Sequence, residues 1–399
     1  MTVNKTPGQE SGGLLLIICQ LAAKVISAFS MEQVPTTSSK CRSSKPGIIG
    51  GVFGLAEPWP LAGPKEVANW PFQRKDCYRL ANGNSAFWLL ARTLQPRKVW
   101  LPSFLCCSTV RAFREAGVQV EFFPIDEQLH VADEHWLEEV VKGDLVVRIN
   151  YFGFRNTDPV FPAAKDRGAW LVDDAAQALL TREIGHDSDF VVYSPRKFVG
   201  IPDGGVLVAR KPFEILEALR PAPAQWWLEA FSTVLLRREH DQSGASGDWF
   251  SRFQHSETTS PVGPFCMSTL SASMLDHCFN FDEIAGQRRR NFLHLSDRLS
   301  EWACFPELPD DVVPLGFPIQ VDNRELVRQA LFENRIFPPV HWPIDGTIPP
   351  QFVESLNLSN KIMTLVCDQR FGASDMERTA DIFLSCCDKP PRGTEPKSE

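Results

Sequence analysis

The stretch "FVVYSPRKFVGIPDGG", residues 190–205, decides how this chain is read. Phe190 to Tyr193 is apolar, β-branched and aromatic, the composition of a short buried strand. The run stops at Ser194. Pro195, Arg196 and Lys197 follow, and then a turn built on Gly204 and Gly205. Such an ending is either a solvated loop or a lysine presented at the edge of a sheet where chemistry takes place. The neighbouring segments bear on the choice. Upstream, "AWLVDDAAQ" (169–177) is a second strand, running into Asp173, Asp174 and Gln177. "DLVVRINYFG" (144–153) is a third, ending at Asn150, Tyr151 and Gly153, and "GGVLVAR" (204–210) follows as a fourth.

Working outward, the same rhythm extends towards the N-terminus. "NSAFWLLARTLQ" (84–95) has helical periodicity, "RKVWLP" (97–102) reads as a strand, and "CCSTVRAFREAG" (106–117) is a helix stopped by Gly117. "VQVEFFPID" (118–126) is a strand, "DEHWLEEVVKG" (133–143) a helix with an acidic start, and "PAAKDRG" (162–168) a helical remnant. Apolar strands alternating with helices predict a mainly parallel sheet covered on both faces, with ligands bound at the carboxyl ends of the strands. The polar clusters fall at those ends. Beyond residue 210 the pattern changes: "WWLEAFSTVLLRREH" (226–240) and "FDEIAGQRRRNFLHLSDRLSEW" (281–302) are long helices. Residues 313–343 read strand, helix, strand, and a last helix runs from about Asp375 to Cys386.

With 399 residues, 43% hydrophobic and 23% charged, the chain is an ordinary globular protein with length for more than one domain. A net charge of −8 leaves no electrostatic footprint for nucleic acid. The arginines of "QRRRNF", beside Asp282 and Glu283, are expected to lie on a solvated helix face. Eleven cysteines without a CxxC pair or zinc-type spacing indicate reduced thiols, no metal site and a cytoplasmic location. "GGLLLIICQLAAKVISAF" is interrupted by Gln20 and Lys24 and falls short of the about 20 apolar residues of a membrane span, so no membrane insertion is expected. The expected organisation is an N-terminal extension over 1–47, with an apolar helix and a disordered linker. A large α/β domain over 48–240 comes next, then a helical connection with a smaller α+β domain over 241–388, and a tail over 389–399.

A lysine, a carboxylate and an anion cradle on one sheet edge match the needs of pyridoxal 5'-phosphate. That cofactor takes a lysine amine as a Schiff base, a carboxylate against its pyridine nitrogen, and a helix N-terminus for its phosphate. Lys197 supplies the first. One of Asp173 and Asp174 supplies the second, because alternation along a strand sends one of them into the site and the other away. In "ANGNSAFW", Gly83 allows close approach, and Asn84 and Ser85 open a helix; Ser194 offers a further hydroxyl. The fit of "SPRK" to the S-x-x-K of serine acyl enzymes is poor, since the motif should open a helix and here follows a strand.

From about Ile48 to Cys386 the chain resembles the DegT/StrS family of pyridoxal-phosphate-dependent sugar aminotransferases. The resemblance rests on "ANGNSA" for the phosphate turn, "LPSFLCCSTVRAFREAGVQVEFFPID", "LVDDAAQAL" and "GHDSDFVVYSPRKFVGIPDGGVLV". It implies an aspartate-aminotransferase-like fold of type I, with a three-layer large domain and a smaller C-terminal α+β domain. It implies that Lys197 is the catalytic residue that carries the cofactor and moves protons. Asp174 would meet the pyridine nitrogen, Gln177 would lie beside the ring's oxygen, and Gly83, Asn84, Ser85 and Ser194 would take the phosphate. The activity implied is transfer of an amino group from an amino-acid donor to a keto group of a nucleotide-linked sugar, by a homodimer. Elimination or dehydration on the same cofactor, or a binding protein without turnover, are the alternatives. The chain departs from the family at Asn84, where threonine is usual, at Cys106, where a ring stacks on the cofactor and Phe104 is the nearest substitute, and at Asn150, where histidine is usual. Asn150, Tyr151, His341 and Arg370 are the candidates for the substrate side.

Overall fold

The computed structural model describes residues 46–56, 77–244 and 247–387. Residues 47–399 make up one unit. The expected N-terminal apolar helix and linker and the tail over 389–399 lie outside the described residues. The strands are β1 (Ile49–Gly50), β2 (Cys77–Leu80), β3 (Lys98–Pro102), β4 (Gln119–Phe123), β5 (Leu145–Ile149), β6 (Trp170–Asp174), β7 (Phe190–Tyr193), β8 (Gly205–Ala209), β9 (Arg220–Pro221), β10 (Phe265–Cys266), β11 (Phe317–Gln320), β12 (Ile336–Phe337) and β13 (Ile362–Leu365). The helices are α1 (Gly83–Leu94), α2 (Cys107–Glu115), α3 (Val160–Asp166), α4 (Ala224–Ser243), α5 (Trp249–Thr258), α6 (Thr269–His277), α7 (Phe281–Leu299), α8 (Arg324–Glu333), α9 (Val353–Lys361) and α10 (Ala373–Cys386).

Nine strands form the main sheet in the order β4-β3-β5-β6-β7-β8-β2-β10-β9. From β4 to β7 all neighbours are parallel, and β8 runs against both β7 and β2. Strands β2, β3, β5, β6 and β7 therefore end at the same edge, where the polar clusters of the sequence were expected. Strands β5, β7 and β8 are buried along their whole length, as a sheet covered on both faces requires. Two small sheets, β1-β12 and β11-β13, stand apart from the main one.

Helix α1 starts where it does because Asn82, extended at φ −161°, caps it by accepting the Ser85 amide at 2.8 Å. The helix thus opens at Gly83, one residue before the expected start at Asn84. The "GG" after Asp203 is explained by close approach. A Cβ on Gly205 would lie 2.3 Å from the Asn82 carbonyl carbon and oxygen, and Gly204 sits at φ 149°.

Two expectations change. The helix read over 133–143 is a single 3-10 turn, His135–Glu139. Trp136, stacked on Phe123 at 4.4 Å, and Val140, just past the turn, bury the segment's apolar side. Arg288 of "QRRRNF" is buried rather than solvated. It falls in the row Phe281, Ile284, Arg288, Phe292, Leu295, Leu299, the inward stripe of α7. Arg289 instead donates to the carbonyls of Pro309 and Val312, and Arg290 to Gln287 Oε1. Among the described residues no helix is long and apolar enough to cross a membrane. The nine cysteines among them carry free thiols.

Candidate active site

Lys197 closes a single 3-10 turn, Pro195–Lys197, directly after β7. The Lys197 amide donates to the Ser194 carbonyl at 3.1 Å, and the Phe198 amide to the Pro195 carbonyl at 2.8 Å. Pro195 opens the turn, where its fixed φ suits helical geometry and its missing N–H is not needed. Lys197 is half-buried, and its charge acts on both Asp174 and His341.

The two aspartates that end β6 divide as alternation requires. Asp173 faces Arg148 across the β5–β6 register and is clamped by it, Nε to Oδ1 at 2.6 Å and Nη2 to Oδ2 at 3.1 Å. Arg148 also holds Asp187 at 2.5 and 3.0 Å. Burial opposes the guanidinium charge, but Asp187 and Asp173 outweigh it and raise its pKa above the ordinary value. Asp174 has no such partner: Oδ1 accepts the Ala176 amide at 2.9 Å, and no described cation bonds the carboxylate. The side chain belongs to a residue only 8% exposed. Burial pushes its pKa up, against the pull of Lys197 and the Ala176 amide. Asp173 is scaffold, and Asp174 is the carboxylate left over.

Gln177 lies just past β6. Its Oε1 accepts the Phe152 amide at 2.8 Å, holding Phe152 at φ 55° beside Gly153 at φ 105°. Its Nε2 is buried and bonds no described group. At the start of α1, the cap consumes the Ser85 amide and leaves those of Gly83 and Asn84 without intrahelical partners. A Cβ on Gly83 would make one ordinary contact, with Val192 Cγ1 at 3.8 Å. Packing within the chain does not require that glycine. Asn84 Oδ1 accepts the Ser108 hydroxyl at 3.2 Å. Ser85 is fully buried, with a hydroxyl that bonds nothing described, and Ser194 is buried at the strand end.

A cavity of about 770 Å³ opens beside Lys197 and takes in His341 and Arg370, with α4 and α5 contributing Trp226, Arg237, Trp249 and Phe253. Its described lining carries six cations, Arg196, Lys197, Arg237, Arg288, Arg328 and Arg370, against two carboxylates, Glu257 and Asp368. The field inside favours an anionic ligand. His341 Nδ1 bonds Thr364 Oγ1 at 2.9 Å; burial, reinforced by Lys197, pushes its pKa down to about 3, so the ring is neutral. Arg370 binds Asp368 through Nε at 3.0 Å and Nη2 at 2.8 Å, and reaches the carbonyls of Val52 and Gly51. Most of its donors are thus committed to holding the chain together.

Sequence reasoning missed the Arg196–Glu257 pair, bonded at 2.5 and 2.8 Å, which ties α5 to the lysine turn. Burial would raise the Glu257 pKa, but Arg196, with Lys197 behind it, holds it below the ordinary range. A separation of 61 residues gave no sequence signal for it.

Of the predicted residues, Lys197, His341 and Arg370 line this cavity; Gly83, Asn84, Ser85, Asp174, Gln177 and Ser194 lie outside its lining, and so do Phe104, Tyr151 and Asn150. Phe104 is 0% exposed, packed on Tyr151 and Trp342 at ring distances of 5.9 and 5.5 Å, so it offers no surface for stacking on a ligand. The buried Tyr151 spends its hydroxyl on the Phe104 carbonyl at 2.6 Å. Asn150 lines a separate cavity of about 230 Å³ together with Asp173 and Arg148. It faces the scaffold side of β6.

Residues 72–357 match the model of the DegT/DnrJ/EryC1/StrS aminotransferase family. The chain belongs to that family. Solved structures agree on the fold. The aminotransferase PseC of Helicobacter pylori, involved in pseudoaminic acid biosynthesis, is 14% identical, with 84% of this chain and 99% of that one covered at a TM-score of 0.57. DesI, solved in the presence of its TDP-sugar product, is 17% identical, with 79% and 81% covered at 0.57. A putative sugar aminotransferase from Streptococcus pneumoniae, in its PLP form, is 14% identical, with 79% and 87% covered at 0.57. No curated protein matches the chain in sequence. The aminotransferase fold expected from the resemblance is therefore the fold of this chain, and its class is that of the aminotransferases.

Proposed function

We propose that the protein is a pyridoxal-5'-phosphate-dependent aminotransferase that uses Lys197 to pass an amino group from an amino-acid donor to a keto group of a nucleotide-linked sugar. The observation that carries this reading is the meeting, at one sheet edge, of Lys197, an unpaired buried carboxylate, a buried amide without a partner and two free helix amides. These residues fit the cofactor. Asp174 would stand against the ring nitrogen, whose positive charge offsets the burial that now disfavours its ionised form. Gln177 Nε2 would gain the partner it lacks, and Gly83 and Asn84, with Ser194, would receive the phosphate. Bound, the cofactor supplies the electron-accepting ring that lets a proton leave the carbon next to the amino group. Lys197 Nζ would take that proton and return it one position away, which it does only when uncharged.

The cavity suits such an acceptor. Its excess of cations matches a diphosphate, and Trp226 and Trp249 offer flat surfaces to a sugar or base. DesI, a fold relative, was solved with a TDP-sugar, in line with this class of acceptor. The protein would act in the cytoplasm as a homodimer. The test is to supply glutamate, glutamine or aspartate with TDP- and UDP-linked ketosugars and to follow the aminosugar by mass. Formation of an aminated product that requires added pyridoxal phosphate and is lost in Lys197→Ala supports the reading. Release of ammonia or water without amination would replace it with elimination chemistry.

A further inference from the structure

Among the cations of the cavity wall, most have a bonded carboxylate: Arg196 has Glu257, Arg237 has Asp241, Arg328 has Glu325 and Arg370 has Asp368. Arg288 has none among the described residues, although it is 1% exposed. Its guanidinium lies 4.4 Å over the ring of Phe198, the residue after Lys197. Nε donates to Gln369 Oε1 at 2.8 Å, and Nη1 to the carbonyls of Leu315 and Pro314 at 2.9 and 3.2 Å. Gln369 in turn donates to the Phe198 carbonyl at 2.6 Å, so Arg288 is fixed to the backbone beside the lysine. All these acceptors are neutral, and Nη2 donates to no described group. Asp368 acts on Arg288 through space, but both its oxygens are taken by Arg370.

A buried cation without a counter-ion is costly, and a methionine or leucine would fill this place in the α7 stripe without that cost. The guanidinium is held rigidly, faces the cavity and has one amine to spare. We propose that Arg288 is an oxyanion subsite of the Lys197 cavity, its Nη2 taking an oxygen that a substrate carries as carboxylate or phosphate. This rests on the reading of the cavity as the substrate cavity. The oxyanion has two sources there, the carboxylate of the amino donor and the phosphate of the nucleotide-linked acceptor.

The test is calorimetric titration of cofactor-free protein with succinate and, separately, with pyrophosphate. It compares wild type, Arg288→Met, Arg288→Lys and the control Arg290→Gln, an exposed residue of the same helix outside the cavity lining, each checked for folding by circular dichroism and thermal unfolding. The expected result is that wild type binds at least one probe and Arg288→Met binds it about tenfold or more weakly. Arg290→Gln stays within about threefold. Loss for succinate assigns the donor carboxylate, and loss for pyrophosphate the acceptor phosphate. Should Arg288→Met fail to fold, Arg288→Lys carries the test: a lysine cannot keep the bonds to Gln369 and Leu315 and also present a spare amine, so its affinity falls several-fold. Unchanged affinity in the substituted proteins, with a lowered Tm, would make Arg288 a bridge between α7 and its neighbouring loops and overturn the subsite. So would a wild type that binds neither probe. Cofactor uptake is read separately, from the visible band with pyridoxal phosphate. A retained band without the anion effect removes the subsite alone, and the reverse removes the cofactor reading alone.

Discussion

Adjacent aspartates with opposite duties give the sharpest prediction. In Asp173→Asn the bidentate acceptor of Arg148 is lost from a site where Arg148 is nearly buried, at 6% side-chain exposure. Breaking a buried pair costs about 3–5 kcal/mol, and Asp187, still bonded at 2.5 Å, brings this to the lower end, about 3 kcal/mol. For 399 residues at about 2.1 cal/mol/K each, the unfolding entropy is about 0.8 kcal/mol/K, so Tm should fall by about 4 °C. Asp174→Asn keeps the shape and the acceptor for the Ala176 amide while removing a charge that burial disfavours. Without cofactor its Tm should be unchanged or higher by about 1 °C, corresponding to at most about 1 kcal/mol. Its affinity for pyridoxal phosphate, followed by absorbance, should fall at least tenfold, while Asp173→Asn should still bind. Thermal unfolding and cofactor titration of the two proteins side by side make the check. If Asp174→Asn is the destabilised one and Asp173→Asn the one that loses the cofactor, the assignment by strand alternation is refuted.

Further predictions concern Gly83, Gly205 and His341. Gly83→Ala should leave Tm within about 1 °C, because its Cβ meets only Val192 at 3.8 Å, yet should weaken cofactor binding measurably by absorbance. Gly205→Ala should lower Tm by several degrees and depress expression of folded protein, since its Cβ would press on the Asn82 backbone at 2.3 Å. His341, whose pKa falls from 6.5 to about 3 on folding, binds its proton more readily when unfolded. Its contribution is therefore fully present above about pH 6.5 and lost as pH falls towards 3, by at most about 1.4 kcal/mol per pH unit. The stability of His341→Gln should accordingly fall less than that of wild type between pH 6.5 and 4.5, measured by urea unfolding. A parallel pH dependence in the two proteins would show that His341 is not buried neutral.

Much of the sheet edge was legible because period-2 alternation and strand composition are local properties. "LVVRI", "WLVDD" and "FVVY" are strands in the order and direction expected, and the choice between Asp173 and Asp174 follows from the Arg148–Asp173 register. Arg288 was legible too, had the apolar stripe at 281, 284, 288, 292 and 295 been followed instead of the run of three charges. Charge clustering in sequence says nothing about which side of a helix each residue takes. The helical reading of 133–143 failed because the backbone turns extended at Val140, at ψ 127°, after one turn whose Trp136 stacks on Phe123, a partner that the local pattern does not show. The burial of Phe104 and Tyr151 and the Arg196–Glu257 link depend on elements distant in sequence, and no local pattern encodes them.

The central claim is that Lys197 is the residue that holds the cofactor. Reducing the protein with borohydride in the presence of pyridoxal 5'-phosphate and mapping the label by peptide mass spectrometry tests it directly. The account predicts a single labelled peptide carrying the modification at Lys197, absent when donor amine is added in excess before reduction. Label spread over surface lysines, or fixed at another lysine while Lys197 stays unmodified, would contradict it.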